Sequence, residues 1–124
     1  MNVTLRRYGS AVVLCATGRL DQDSCEAFRA QLVKEVEAAA DEGATVVLDL
    51  SALEYVSSAG LRAFMLASRE AKSRQARIYV ASLQPMVAEI FKISHFNLVF
   101  QVFATVPDAL AAVSPQAAAA YGKG

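Results

Sequence analysis

The chain carries no excess of either charge: twelve lysines and arginines balance twelve aspartates and glutamates, for a formal net charge of zero over 124 residues. Nucleic acid is recognised through a basic face, because neutralising phosphates supplies most of the affinity. No such face is offered here, so nucleic acid is not expected as a partner. Cysteines number only two, Cys15 and Cys25, at a spacing that fits neither a zinc site nor a disulfide framework. Both are expected to be core thiols. His95 is the single histidine, with no cysteine or carboxylate beside it, and gives no metal signal. No apolar run approaches the ~18 residues of a membrane-spanning helix, and the opening MNVTLRRYGS has charges but no signal core behind them. A cytoplasmic chain with no direct membrane insertion, no metal and no cofactor is the expectation.

Catalytic patterns are equally sparse. There is no glycine-rich phosphate loop and no pair of catalytic carboxylates. Ser58 with His95 and Asp49 would make a hydrolytic triad, but the nucleophile elbow requires Gly-x-Ser-x-Gly, and Val56 stands two residues before Ser58, so only Gly60 fits. An enzyme is not expected.

What the chain does have is apolar mass, 55% hydrophobic against 19% charged residues, too much for disorder and enough for one domain with a core. The organising stretch is Ala44 to Ala71, ATVVLDLSALEYVSSAGLRAFMLASREA. Residues 45–50 are β-branched and aliphatic with Asp49 as the only charge, which predicts a central strand buried on both faces. Asp49 near its end is expected to bond turn amides. Behind the small residues Ser57-Ser58-Ala59-Gly60, apolar positions recur at Leu61, Phe64 and Met65 with helical spacing, predicting a helix to about residue 73. Further strands are predicted over 2–8, 11–17, 77–81 and 98–103, and further helices over 22–41, 85–93 and 107–113. Asp21 or Asp23 is available to cap the first helix. The order indicates an α/β (α+β) fold with a mixed sheet of four to five strands and about four helices. Residues 1–113 form the domain, and 114–124, SPQAAAAYGKG, are expected to be a flexible alanine-rich tail.

A buried strand that ends in small hydroxylated residues opening a helix puts those hydroxyls at the carboxyl edge of the sheet, beside free backbone N–H groups. The simplest role for such a serine is a cap worth ~1 kcal/mol. Two in succession leave one hydroxyl to spare.

The run LDLSALEYVSSAGLRAF resembles the signature of STAS domains, the class that contains bacterial anti-sigma factor antagonists. Its members carry an aspartate or serine, a phosphorylatable serine, a small residue, then glycine and leucine. Matched in order, the phosphorylatable serine falls on Ser58, with Ser57 as the alternative; Ser57 stands where many members have aspartate and Ala59 where many have serine or threonine. The resemblance implies helices packed mainly on one face of the sheet. It also implies a binding module whose unphosphorylated form sequesters an anti-sigma factor with serine kinase activity. Phosphorylation on Ser58 releases that partner, a serine phosphatase resets the module, and sigma-factor-dependent transcription responds. Expected partner-binding residues are Arg19, Asp21, Ser57, Ser58, Ala59, Gly60, Arg62 and Arg69. The alternative is a STAS accessory subunit of a lipid-transporting ABC system, not phosphorylated, in which the serine is only a cap.

Overall fold

The computed structural model describes residues 1–122. Five strands form one sheet in sequence order: β1 (Asn2–Tyr8), β2 (Ala11–Leu20), β3 (Thr45–Val56), β4 (Arg77–Ala81) and β5 (Gln101–Phe103). The β1–β2 hairpin is antiparallel and the remaining pairs are parallel. Five helices accompany them: α1 (Cys25–Glu42), α2 (Ser58–Ser73), α3 (Pro85–Ile93), α4 (Val106–Val113) and α5 (Pro115–Gly122). A short 3₁₀ turn, Phe96–Leu98, precedes β5. No helix among the described residues is long and apolar enough to cross a membrane.

The two-residue alternation of strands sorts the core into two layers. Val12, Leu14 and Ala16 of β2, Val46, Leu48 and Leu50 of β3, and Ile78 and Val80 of β4 share one face with Phe28, Leu32 and Val36 of α1, Phe64 and Ala67 of α2, and Val87 and Phe91 of α3. Ala11, Val13, Val47, Tyr79 and Ala81 face the other way, onto Val106, Ala109 and Leu110 of α4 and Ala117 of α5. The larger layer therefore carries three of the helices, in keeping with helices mainly on one face. Gly43 closes α1 in the left-handed conformation, φ 68°, its N–H bonded to the carbonyls of Ala39 and Ala40, a geometry that favours glycine.

Three elements differ from the sequence expectation, each for a local reason. β2 and β3 run on to Leu20 and Val56, past the expected ends at 17 and 50, as a ribbon with register shifts between Cys15 and Thr17 and between Gly18 and Arg19. Such bulges break the two-residue pattern by which a strand is recognised. Residues 96–98 coil into the 3₁₀ turn, which shortens the expected strand 98–103 to β5. A helix also stands at 115–122, where a flexible tail was expected. Pro115 is its first residue, the Ser114 hydroxyl accepts from the Ala117 N–H at 3.1 Å, Ala117 is fully buried, and Tyr121 meets the Tyr8 ring edge-on at 5.2 Å. Alanine propensity together with a proline start and a serine cap outweighs the terminal glycines. Residues 123 and 124 of the expected tail lie outside the described residues.

Candidate functional site

The long β2–β3 ribbon delivers the serines to the start of α2. Ser57 is extended, φ −83° and ψ 172°, and its hydroxyl accepts from the Gly60 N–H at 3.1 Å. Its N–H donates to the Leu20 carbonyl at 2.8 Å, and its own carbonyl accepts from the Leu61 N–H at 2.9 Å. Ser57 is thus the cap. Ser58, the first helical residue, is exposed, and among the described residues its hydroxyl has no hydrogen-bond partner. The first turn of α2 holds no acidic residue, and the Ser58 and Ala59 amides are orphan donors of a helix start. Their positive partial charge favours an anion at Ser58.

This division of labour predicts an asymmetric pair of variants. Ser57→Ala should cost about 0.5–2 kcal/mol by losing the cap, whereas Ser58→Ala should stay within ~0.5 kcal/mol of wild type, as exposed substitutions do. Urea denaturation of both measures it, and equal losses would show that the cap is shared.

Gly60 is fixed by contact. A Cβ there would sit 2.8 Å from Leu20 Cγ and 3.0 Å from the Leu20 carbonyl oxygen, and Leu20 is itself wholly buried. Gly60→Ala should therefore destabilise by about 1–3 kcal/mol through overpacking, read as a lower thermal midpoint. An unchanged midpoint would mean that Leu20 and the helix start have room to part.

Pairing of Arg19 with Tyr55 and of Leu20 with Val56 brings the β2–α1 loop beside the serines. Arg19 lies over the Tyr55 ring, 4.5 Å from its centroid. The Asp21 carboxylate accepts from the Asp23 N–H, the Ser24 N–H and the Ser24 hydroxyl, all at 3.1 Å, and the Ser24 bonds hold its pKa below the ordinary carboxylate value. Asp21 thus shapes the turn into α1, which starts at Cys25 rather than the expected 22. Arg19 and Asp21 stand near the helix start with their side chains already engaged.

Between α1 and α2 lies a groove of about 470 Å³, lined on one side by Gln22, Cys25, Glu26 and Arg29 and on the other by Ser58, Ala59, Arg62, Ala63 and Leu66. Ser58, Ala59 and Arg62, three of the expected partner-binding residues, line it together. Arg69 is exposed on the same helix, about 10 Å beyond Arg62 at 1.5 Å per residue. Sequence reasoning missed the α1 wall: Arg29 reads as a solvated charge and Cys25 as core, yet both line the groove, and Cys25 is half-buried. Their spacing along α1 was visible, but nothing local says that α1 lies against α2. Arg29 is paired with Glu26.

Asp49 takes no part in this site. Its carboxylate accepts from the Ser51 N–H at 3.0 Å and from the Cys15 thiol at 3.4 Å, as a turn-bonding aspartate does. Cys15 is likewise half-buried, packed against the second core layer, and burial, with Asp49 beside it, raises its thiol pKa. His95 lies in a left-handed turn after α3 and forms no side-chain bond to Ser58 or Asp49. Among the described residues no three histidine, cysteine or carboxylate side chains gather as a metal site.

The site is thus a five-strand mixed sheet whose central strand ends in a helix start capped by Ser57, with the Ser58 hydroxyl exposed beside it. The family model described as "Mlab, STAS domain" matches residues 3–101, and the chain belongs to the STAS domain family. Within it the chain stands with the anti-sigma factor antagonists, which are regulatory modules and not enzymes: it is 34% identical over 103 residues to the protein designated anti-sigma factor antagonist BtrV of Bordetella bronchiseptica, covering 82% of this chain and 85% of BtrV. A Thermotoga maritima protein designated as an anti-sigma factor antagonist superposes with a TM-score of 0.81 at 15% identity, over 90% of this chain and 93% of that one. The antagonist SpoIIAA in its unphosphorylated form gives 0.72 at 23% identity, over 90% and 96%. Phosphorylated SpoIIAA of Bacillus gives 0.65 at 22%, over 91% and 100%. At these identities the structural likenesses establish the fold alone.

Proposed function

We propose that this chain is a phosphorylation-switched antagonist: unphosphorylated, it sequesters an anti-sigma factor that is also a serine kinase; phosphorylated on Ser58, it releases that partner until a serine phosphatase resets it. The observation that carries this reading is the division between the serines, with Ser57 consumed as the cap and Ser58 exposed with its hydroxyl unused. Ser57, as a cap, is the poorer acceptor. The docking surface comprises Ser58, Ala59 and Arg62 with the half-buried Ser57, over the buried Gly60 that lets the helix start sit against Leu20, with Arg19, Asp21 and Arg69 around it, and the setting is the cytoplasm, where sigma factors act.

The switch follows from two opposed electrostatic effects. A phosphate adds about −1.5 to −2 charges at a helix start, which the fold welcomes by about 0.3–2 kcal/mol. A partner seated over the same point would have to bury that dianion, at a cost of several kcal/mol. The second effect is larger, so modification empties the interface and leaves the domain folded. SpoIIAA, a protein of this fold, is known in both unphosphorylated and phosphorylated forms.

The test is a pull-down with Ser58→Ala and Ser58→Asp baits, each checked for folding. A kinase-like protein held by the first and lost by the second supports the switch. Equal capture by both contradicts it. A transporter ATPase held by both baits would instead support the alternative, a STAS accessory subunit of a lipid-transporting ABC system that is not phosphorylated.

A further inference from the structure

The exposed face of α2 carries a charge pattern that extends the docking surface beyond Ser58. Arg62, Leu66 and Arg69 are all exposed and stand at i, i+4 and i+7, a single stripe along the helix. Little acidity tempers it. The first turn has no carboxylate, Glu70 is bonded to Arg74, and Arg74 also holds Glu37. Among the described residues neither Arg62 nor Arg69 has an ion-pair partner. Because the whole chain is neutral, this positive excess is local. Beside the stripe runs the α1/α2 groove, whose small or apolar residues Cys25, Ala59, Ala63 and Leu66 alternate with the cations, and whose other arginine, Arg29, is already occupied by Glu26.

We propose that this groove and the α2 face beyond it receive an acidic amphipathic helix of the partner, with one carboxylate on Arg62, a second seven residues away on Arg69, which stands past the groove's end, and an apolar side chain between them against Leu66. The inference rests on the reading that this surface docks a partner, and it adds the partner's chemistry. Seven residues span about 10 Å in any α-helix, so a helix laid alongside α2 meets both arginines in one register and presents its i+3 or i+4 side chain to Leu66. Two unpaired arginines are too few for phosphate-backbone binding of nucleic acid, whose affinity grows with each phosphate neutralised. A phosphate on Ser58, one turn before Arg62, then acts twice: it neutralises Arg62 and repels the partner's first carboxylate.

The full chain, ¹⁵N-labelled, is titrated with a synthetic helical peptide bearing glutamate at its first and eighth positions and leucine at its fourth and fifth, and with the same peptide carrying lysines for the glutamates. The acidic peptide is expected to shift amides along the first turns of α1 and along α2 as far as Arg69. The basic peptide is expected to shift none. Arg62→Glu with Arg69→Glu, or added salt, should weaken the acidic peptide at least ~10-fold, since both arginines are rim charges in contact with it. No shift from either peptide, equal shifts from both, or a double variant that binds as well as wild type overturns the proposal. So does preferential binding of duplex RNA or of anionic vesicles. The two levels separate on the captured partner. If the double variant retains it while Ser58→Asp loses it, the acidic-helix inference fails and the switch stands. If Ser58→Asp retains it, the switch fails whatever the peptide does.

Discussion

Ser58→Asp should unfold at or slightly above the wild-type midpoint and bind its partner at least ~30-fold more weakly, the equivalent of 2 kcal/mol or more. Both halves come from the same geometry. At the first position of α2 a carboxylate faces orphan amides in a turn with no other acid, and the dipole favours it by about 0.3–1 kcal/mol at an exposed site. Among the described residues the hydroxyl it replaces has no partner, so no internal bond is lost. In a docked complex the same carboxylate sits under the partner, where an unpaired buried charge outweighs that small gain. Thermal unfolding and a binding titration read the two halves separately. A lowered midpoint would mean that Ser58 has a structural role, and an unchanged affinity would mean that the interface lies elsewhere.

Phe64→Ala should be the most damaging core substitution, costing about 3–5 kcal/mol. Phe64 is fully buried on α2, and its ring meets Phe28 of α1 at 5.3 Å, Phe91 of α3 at 5.6 Å and Phe100 at 6.2 Å, all edge-to-face. It therefore joins the three helices of the larger layer, and its loss opens a cavity with walls on three elements that cannot all collapse together. For a domain of this size the midpoint should fall by roughly 10–20 °C. A fall of only a few degrees would show that the neighbouring rings close over the gap. Binding should weaken only as far as unfolding depletes the native state, because Phe64 does not reach the groove.

The legible parts of the molecule were those written locally. The buried run at 45–50, the two serines ahead of a helical repeat, and the proline at the start of α3 each declare themselves within a few residues, and each is found in place. The upper ribbon was not legible, because the bulges in the β2–β3 pairing spoil the alternation that marks a strand, although Leu53 and Val56 are both buried there. Cys25 and Arg29 lie on α1 as the pattern predicts, and Cys25 packs against the core, but only the packing of α1 against α2 makes the two a groove wall. The α5 helix was obscured by its composition: alanines bury little area and leave no apolar stripe, and the contact that matters, Ala117 beneath the hairpin, is tertiary.

The most direct test of the switch uses the modification itself. The full chain is prepared with phosphoserine at position 58, and its affinity for the partner captured by the Ser58→Ala bait is measured by isothermal titration calorimetry beside the unphosphorylated chain, with thermal midpoints recorded for both. A midpoint that does not fall, together with binding reduced by at least ~30-fold, is the predicted result. The same affinity for both forms, or a phosphorylated chain that binds only because it has partly unfolded, would contradict it.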